Sequence, residues 1–164
     1  MKRWKQYDEL LNSKPAWNEI EFPNADLHYF KECGCLVTSL TNLLIKYNFE
    51  SDDFSPWTLN EKLKASGGFT SGADLYGNAI EKLYPIKFCG REKYTKEKLD
   101  KFIDSGYALI LIVRGTNSPT HYVLVESKTE ISDPNSENSN YPDENDIFFI
   151  LKYKFCWLFS KNQL

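Results

Sequence analysis

Residues Tyr107-Ala-Leu-Ile-Leu-Ile-Val113 form an unbroken apolar run directly after Gly106. A run of this length behind a turn residue is a strand, and one without polar alternation is covered on both faces. Its neighbours in sequence also have strand character. His121-Tyr-Val-Leu-Val125 reads as a second strand that opens on a histidine. Residues 129–132 read as a short third, ended by Asp133-Pro134. Beyond a polar loop at 135–145, Ile147 to Phe159 is expected as one long strand or two short ones.

Upstream the apolar period is helical. Leu36, Leu40, Leu43, Leu44 and Tyr47 recur at i, i+4, i+7, i+8 and i+11, whereas Thr38, Asn42 and Lys46 lie off that stripe. An amphipathic helix buried along one side is predicted over 35–47, with Asn48, a residue that tolerates the left-handed conformation, as its C-terminal cap. A second helix is predicted from Thr58, where Thr58 and Glu61 form a capping-box pattern, to Gly67-Gly68. A third is predicted over Asp74 to Leu83, turning Leu75, Ala79, Ile80 and Leu83 inward. A fourth follows Thr95, with Leu99, Phe102 and Ile103 inward and Gly106 ending it. Helices first and strands afterwards predict an α+β fold, helices packed on a mostly antiparallel sheet. At 164 residues a single domain over 1–164 is expected, with the aromatic, proline-punctuated stretch 1–34 (Pro15, Pro23) laid over it as a strap.

Composition narrows the function classes. With 41% hydrophobic and 26% charged residues the chain is expected to be a soluble globule rather than disordered. Its net charge is −3, and the longest basic spacing (Lys93, Lys96, Lys98, Lys101) is interrupted by Glu92, Glu97 and Asp100. That pattern is a solvated helix face, which gives nucleic-acid binding no support. No apolar run approaches a membrane span and none follows the charged N-terminus. Synthesis in the cytoplasm without a signal peptide is therefore expected, with any release to the cell wall left to another factor. The four cysteines are too scattered for a disulfide framework, and Cys89 and Cys156 have no close second ligand, so the paired spacing of a structural zinc site is missing. Those two are expected to be buried structural thiols, and no metal or organic cofactor is implied.

Cys35 has a different setting. A thiol is a useful nucleophile as thiolate, and the start of a helix favours that anion through its unpaired amides and dipole. Gly34 lets the backbone approach closely. His121, one of only two histidines, opens a strand after the polar loop Gly115-Thr-Asn-Ser-Pro-Thr120, at a sheet end where a cleft would lie. A Cys-His pair needs a third group to hold the imidazole in its tautomer, and Asp133 offers a carboxylate at the end of the neighbouring strand. Alone, each has a plainer meaning: a core cysteine, a satisfied histidine, an aspartate opening an Asp-Pro turn.

Together and in this order they resemble the papain-like cysteine peptidases related to the bacteriocin leader-processing enzymes, especially the branch found in cell-wall-lytic and bacteriophage proteins. The resemblance rests on Gly34-Cys35-Leu36-Val37-Thr38-Ser39, on the segment from Leu59-Asn60 to Gly67-Gly68-Phe69, and on the strand Gly106 to Arg114, where Ala108 replaces a proline. His121-Tyr-Val-Leu-Val and Ile131-Ser-Asp133-Pro134 complete it. It covers about residues 30–135 and departs at Asn48, where the family carries glycine. It implies a papain-like fold and a Cys35-His121-Asp133 triad. The oxyanion hole would combine the Cys35 amide with an upstream glutamine, here Gln6, or alternatively Asn18 or Asn24. Cys33, which precedes Gly34, is the rival nucleophile; counting thirteen residues from it ends inside the helix at Lys46, whereas Cys35 reaches Asn48. The implied substrate is a peptide or a peptidoglycan cross-peptide, and the protein is expected to act as a monomer. The alternatives are an intracellular peptidase or deamidase effector, and a catalytically silent papain-like module whose aromatic cleft only binds.

Overall fold

A computed structural model describes residues 3–6, 8–11, 13–14, 34–70, 74–114, 120–134 and 155–161. In chain order the elements are α1 (Cys35–Lys46), α2 (Pro56–Ala65), a 3-10 segment (Gly77–Lys82), β1 (Ile86–Lys93), α3 (Lys96–Asp104), β2 (Ala108–Arg114), β3 (Thr120–Val125), β4 (Ile131–Ser132) and β5 (Phe155–Lys161). The strands form one antiparallel sheet in the order β1-β5-β2-β3-β4. The fold is α+β.

The central strand explains both cores. Along β2 the pleat sends Ala108, Ile110 and Ile112 to one face and Leu109 and Leu111 to the other. The first face shares one core with Leu40 and Leu44 of α1, Leu59 and Leu63 of α2 and Ile80 of the 3-10 segment. The second is closed by Tyr94 and by Leu99 of α3, against Val123, Val125 and Leu158. Phe102 and Ile103 pack beside them, and Gly106 ends the α3 turn at φ 80°. The lysines of α3 point outward and are ion-paired, Lys96 with Asp100, Lys98 with Glu92 and Lys101 with Glu97.

Helix α1 is the middle of the domain rather than its edge. From Val37 to Ile45 every residue is buried, including Thr38, Ser39, Thr41 and Asn42. The expectation of a helix buried along one side is thereby corrected. The sheet covers its apolar stripe, and α2 and residues 3–6 cover the remainder, so Ser39, Thr41 and Asn42 bond internally. The Thr41 hydroxyl donates to the Val37 carbonyl at 2.9 Å. Asn48 adopts φ 58°, and the Phe49 amide returns to Leu44 O at 2.9 Å, closing the helix as expected. Leu44 is fully buried at the centre of the larger core. Leu44→Ala is therefore expected to destabilise the fold by about 2–5 kcal/mol in chemical denaturation, since transfer and cavity terms add at a site packed on all sides.

Three further expectations are corrected. Helix α2 starts at Pro56, with Ser55 as N-cap accepting from the Thr58 amide at 3.2 Å; proline at the first helical position fixes that start ahead of Thr58. The segment Asp74–Leu83 is not an α-helix. Leu75 forms a bridge with Phe69, and only Gly77–Lys82 coils, as 3-10. Gly77 also lies against the Phe88 ring, where a Cβ would come within 2.3 Å of Cε1. Strand β1 lies between the expected third and fourth helices, where the sequence assigns no element, so the strands do not all follow the helices. Residues 135–154, and with them most of the expected last strand, lie outside the described residues; β5 begins at Phe155. No described helix is long and apolar enough to cross a membrane.

Candidate active site

Cys35 is the first residue of α1, with Gly34 as a cap that contributes no side-chain hydrogen bond. The helix ladder begins at Thr38, whose amide donates to Gly34 O at 2.9 Å. The amides of the first turn, that of Cys35 included, therefore have no partner inside the helix and face the sulfur's end of it. Cys35 is 7% exposed, dry enough to strengthen charges beside it.

His121 and Asp133 come together through strand pairing. β3 and β4 pair Leu124 with Ser132 and Val125 with Ile131. Continuing this antiparallel register places Asp133 opposite Val123, a diagonal neighbour of His121 on the same face, within reach of a ring and a carboxylate. The His121 Nε2–H donates to Asp133 Oδ1 at 2.7 Å, and both side chains are buried. With Nε2 committed to the carboxylate, Nδ1 is the ring atom left for the sulfur.

The electrostatics link all three groups. Burial pushes the His121 pKa down, because imidazolium loses its water. Hydrogen bonds to Asp133 and Cys35, with the charges of both, outweigh that penalty and raise it to about 9. Tyr122, the next residue on β3, is pushed up first by burial and then by the negative charge of Cys35. At neutral pH this is an imidazolium held between a carboxylate and the sulfur.

Ser39 makes a contact that its sequence does not announce. The Ser39 hydroxyl donates to Tyr122 O at 3.0 Å, fastening the first turns of α1 to the β3 residue beside His121. Gln6 reaches the same region along a different path. Its backbone amide donates to Pro134 O at 3.0 Å, its side chain is buried, and the preceding Lys5 Nζ donates to Asp133 O at 2.7 Å. Cys35, His121, Asp133 and Gln6 thus converge on one end of the sheet. Cys33, Asn18 and Asn24 lie outside the described residues.

Two observations depart from expectation. Cys89 is exposed, not buried. It is the extra residue where β1 pairs Phe88 with Phe159 and Gly90 with Leu158, a bulge that turns it outward, with its sulfur 3.4 Å from Ser160 Oγ. The side chain of Cys156 lies outside the described residues. Second, a cavity of about 620 Å³ opens at the far end of α1, between Lys46-Tyr47, Ser105 to Tyr107 and Val125 to Ser127. It includes none of the four converging residues, and the helix separates it from Cys35 by roughly 16 Å.

Comparisons of the chain with protein-family models, with curated proteins and with solved structures gave no match.

Proposed function

We propose that this chain is a papain-like cysteine hydrolase that cleaves a peptide or isopeptide bond, of the branch related to the leader-processing peptidases and found in cell-wall-lytic proteins. The observation that carries the reading is the buried His121, bonded through Nε2 to Asp133 at 2.7 Å, held protonated chiefly by that carboxylate and further by Cys35 at a helix start. Structural ion pairs also shift histidines, but a thiol sharing the imidazole is the arrangement that nucleophilic catalysis needs.

The chemistry follows from the positions. The Cys35 thiolate attacks the carbonyl carbon, and the carbonyl electrons move onto oxygen. The Cys35 amide and the Gln6 side-chain amide donate to that oxyanion. The C–N bond then breaks as His121 delivers its Nδ1 proton to the departing amine, leaving a thioester on Cys35. Neutral His121 next takes a proton from water, whose oxygen attacks the thioester, releasing the acid and restoring the thiolate–imidazolium pair. Asp133 keeps the ring in the required tautomer throughout. It stays ionised.

The substrate class proposed is the peptide cross-bridge of peptidoglycan. Incubation with purified peptidoglycan, and in parallel with a peptide library, followed by mass spectrometry, tests this. New amino termini from peptidoglycan that disappear with Cys35→Ser are expected. Cleavage confined to the library would replace the wall with a soluble peptide substrate. Retention on either material without new termini would make the protein a binding module.

A further inference from the structure

Residues 3–6 are stitched to the domain at four successive points. Arg3 pairs with Glu126 just beyond β3, Nη2 to Oε2 at 2.8 Å. Trp4 lies on α1, Lys5 reaches Asp133 O, and Gln6 bonds Pro134 O. The segment therefore runs from the C-terminal end of α1, where Lys46 also meets Glu126, toward the end that carries Cys35. Its register along the helix is fixed by one side chain. Asn42 Oδ1 accepts from the Trp4 amide at 2.9 Å, and Asn42 Nδ2 donates to Trp4 O at 3.1 Å. This carboxamide imitates a neighbouring strand, satisfying both backbone groups of Trp4, and it is fully buried.

We infer that Asn42 is a positioning residue for the candidate active site: it sets the register of residues 3–6, which in turn brace the Asp133-Pro134 turn and bring Gln6 beside it. The inference rests on the triad reading and goes beyond it. Asn42 and the Asp133-Pro134 turn are tied to the same short segment, Asn42 at Trp4 and the turn at the next two residues, Lys5 and Gln6. A slip at Trp4 by one residue would move the Lys5 and Gln6 contacts off Asp133 and Pro134. The carboxylate would then lose its fixed place against Nε2.

NMR titration of the His121 ring in the full-length protein tests this without any substrate. In Asn42→Ala, the His121 midpoint should fall from about 9 by roughly one pH unit or more, toward its ordinary value. Lys5→Met keeps the stem, removes the bond to the Asp133 carbonyl and alters a half-buried position rather than the core. It should lower the midpoint in the same direction by less, and it provides the readout if Asn42→Ala does not fold. Leu44→Ala, destabilised but remote from the turn, should leave the midpoint in place. A raised wild-type midpoint that neither Asn42→Ala nor Lys5→Met moves overturns the inference alone. A wild-type midpoint near 6.5 overturns the triad reading and this inference with it. A midpoint lowered as much by Leu44→Ala would make Asn42 an ordinary structural residue.

Discussion

Cys35→Ser is expected to lower turnover by roughly a thousandfold or more, the scale on which removing a nucleophile reduces triad hydrolases. Its folding free energy should stay within about 1 kcal/mol, because the change is nearly isosteric and serine can still bond to the ring. A second effect distinguishes catalysis from packing. Serine does not ionise in this range, so His121 loses one of the two negative partners that raise its pKa, and its titration midpoint should fall. Asp133→Asn should cost less activity than Cys35→Ser, since an amide oxygen can still accept from Nε2–H and hold the ring. Equal losses, measured as kcat/KM on the same substrate, would show that the carboxylate charge itself is required.

The stability of the protein should fall as the solution becomes alkaline. His121 binds its proton more tightly when folded, with a pKa near 9 against an ordinary value of 6.5. Its contribution is therefore complete below about pH 6.5, declines as pH rises, and is gone above about pH 9. A 2.5-unit difference corresponds to about 3 kcal/mol across that window, and the ring is only 8% exposed, so solvent screens little of it. Urea midpoints measured at pH 6 and pH 9.5 should show this loss in the wild type. Asp133→Asn should flatten the slope, because the largest contribution raising the pKa has been removed. A wild-type slope unchanged in Asp133→Asn would contradict a His121 held charged by that carboxylate. The same proton sets the alkaline limb of activity, so kcat/KM should decline above about pH 9.

Much of this was legible because local signals and tertiary demands agree. Asn48 adopts the left-handed conformation that its position at a helix end predicts, and Gly106 ends α3 in the same way. The apolar run around Leu109 to Ile112 is covered on both faces, as an unbroken strand must be. β1 escaped notice for physical reasons. Its burial is confined largely to Ile86, its outer positions carry Lys87, Arg91, Glu92 and Lys93, and the bulge at Cys89 breaks the alternation. That composition suits an edge strand, where charge discourages pairing with another chain. The 3-10 segment was misread because apolar spacing does not reveal that Gly77 lies against Phe88. The polar face of α1 gave no hint of burial, since what covers it, residues 3–6, is more than thirty positions away in sequence.

The site divides in the same way. Cys35, His121 and Asp133 were readable from residue type and order, and strand register brings the last two into contact. What holds them was not readable. Ser39, Asn42 and Lys5 act through backbone carbonyls and amides, whose partners depend on the folded path and leave no pattern in sequence.

Covalent labelling of the thiols tests the central claim most directly. Cys89 is exposed and Cys35 is nearly buried, so accessibility alone would direct a neutral alkylating reagent to Cys89. If Cys35 and His121 form a catalytic pair, iodoacetamide at neutral pH should modify Cys35 first, and His121→Ala should slow that reaction while leaving Cys89 unaffected. Peptide mapping by mass spectrometry over a time course reads both sites in one sample. Preferential labelling of Cys35 that depends on His121 is the result predicted. Labelling of Cys89 ahead of Cys35, or a Cys35 rate indifferent to His121→Ala, would contradict the account.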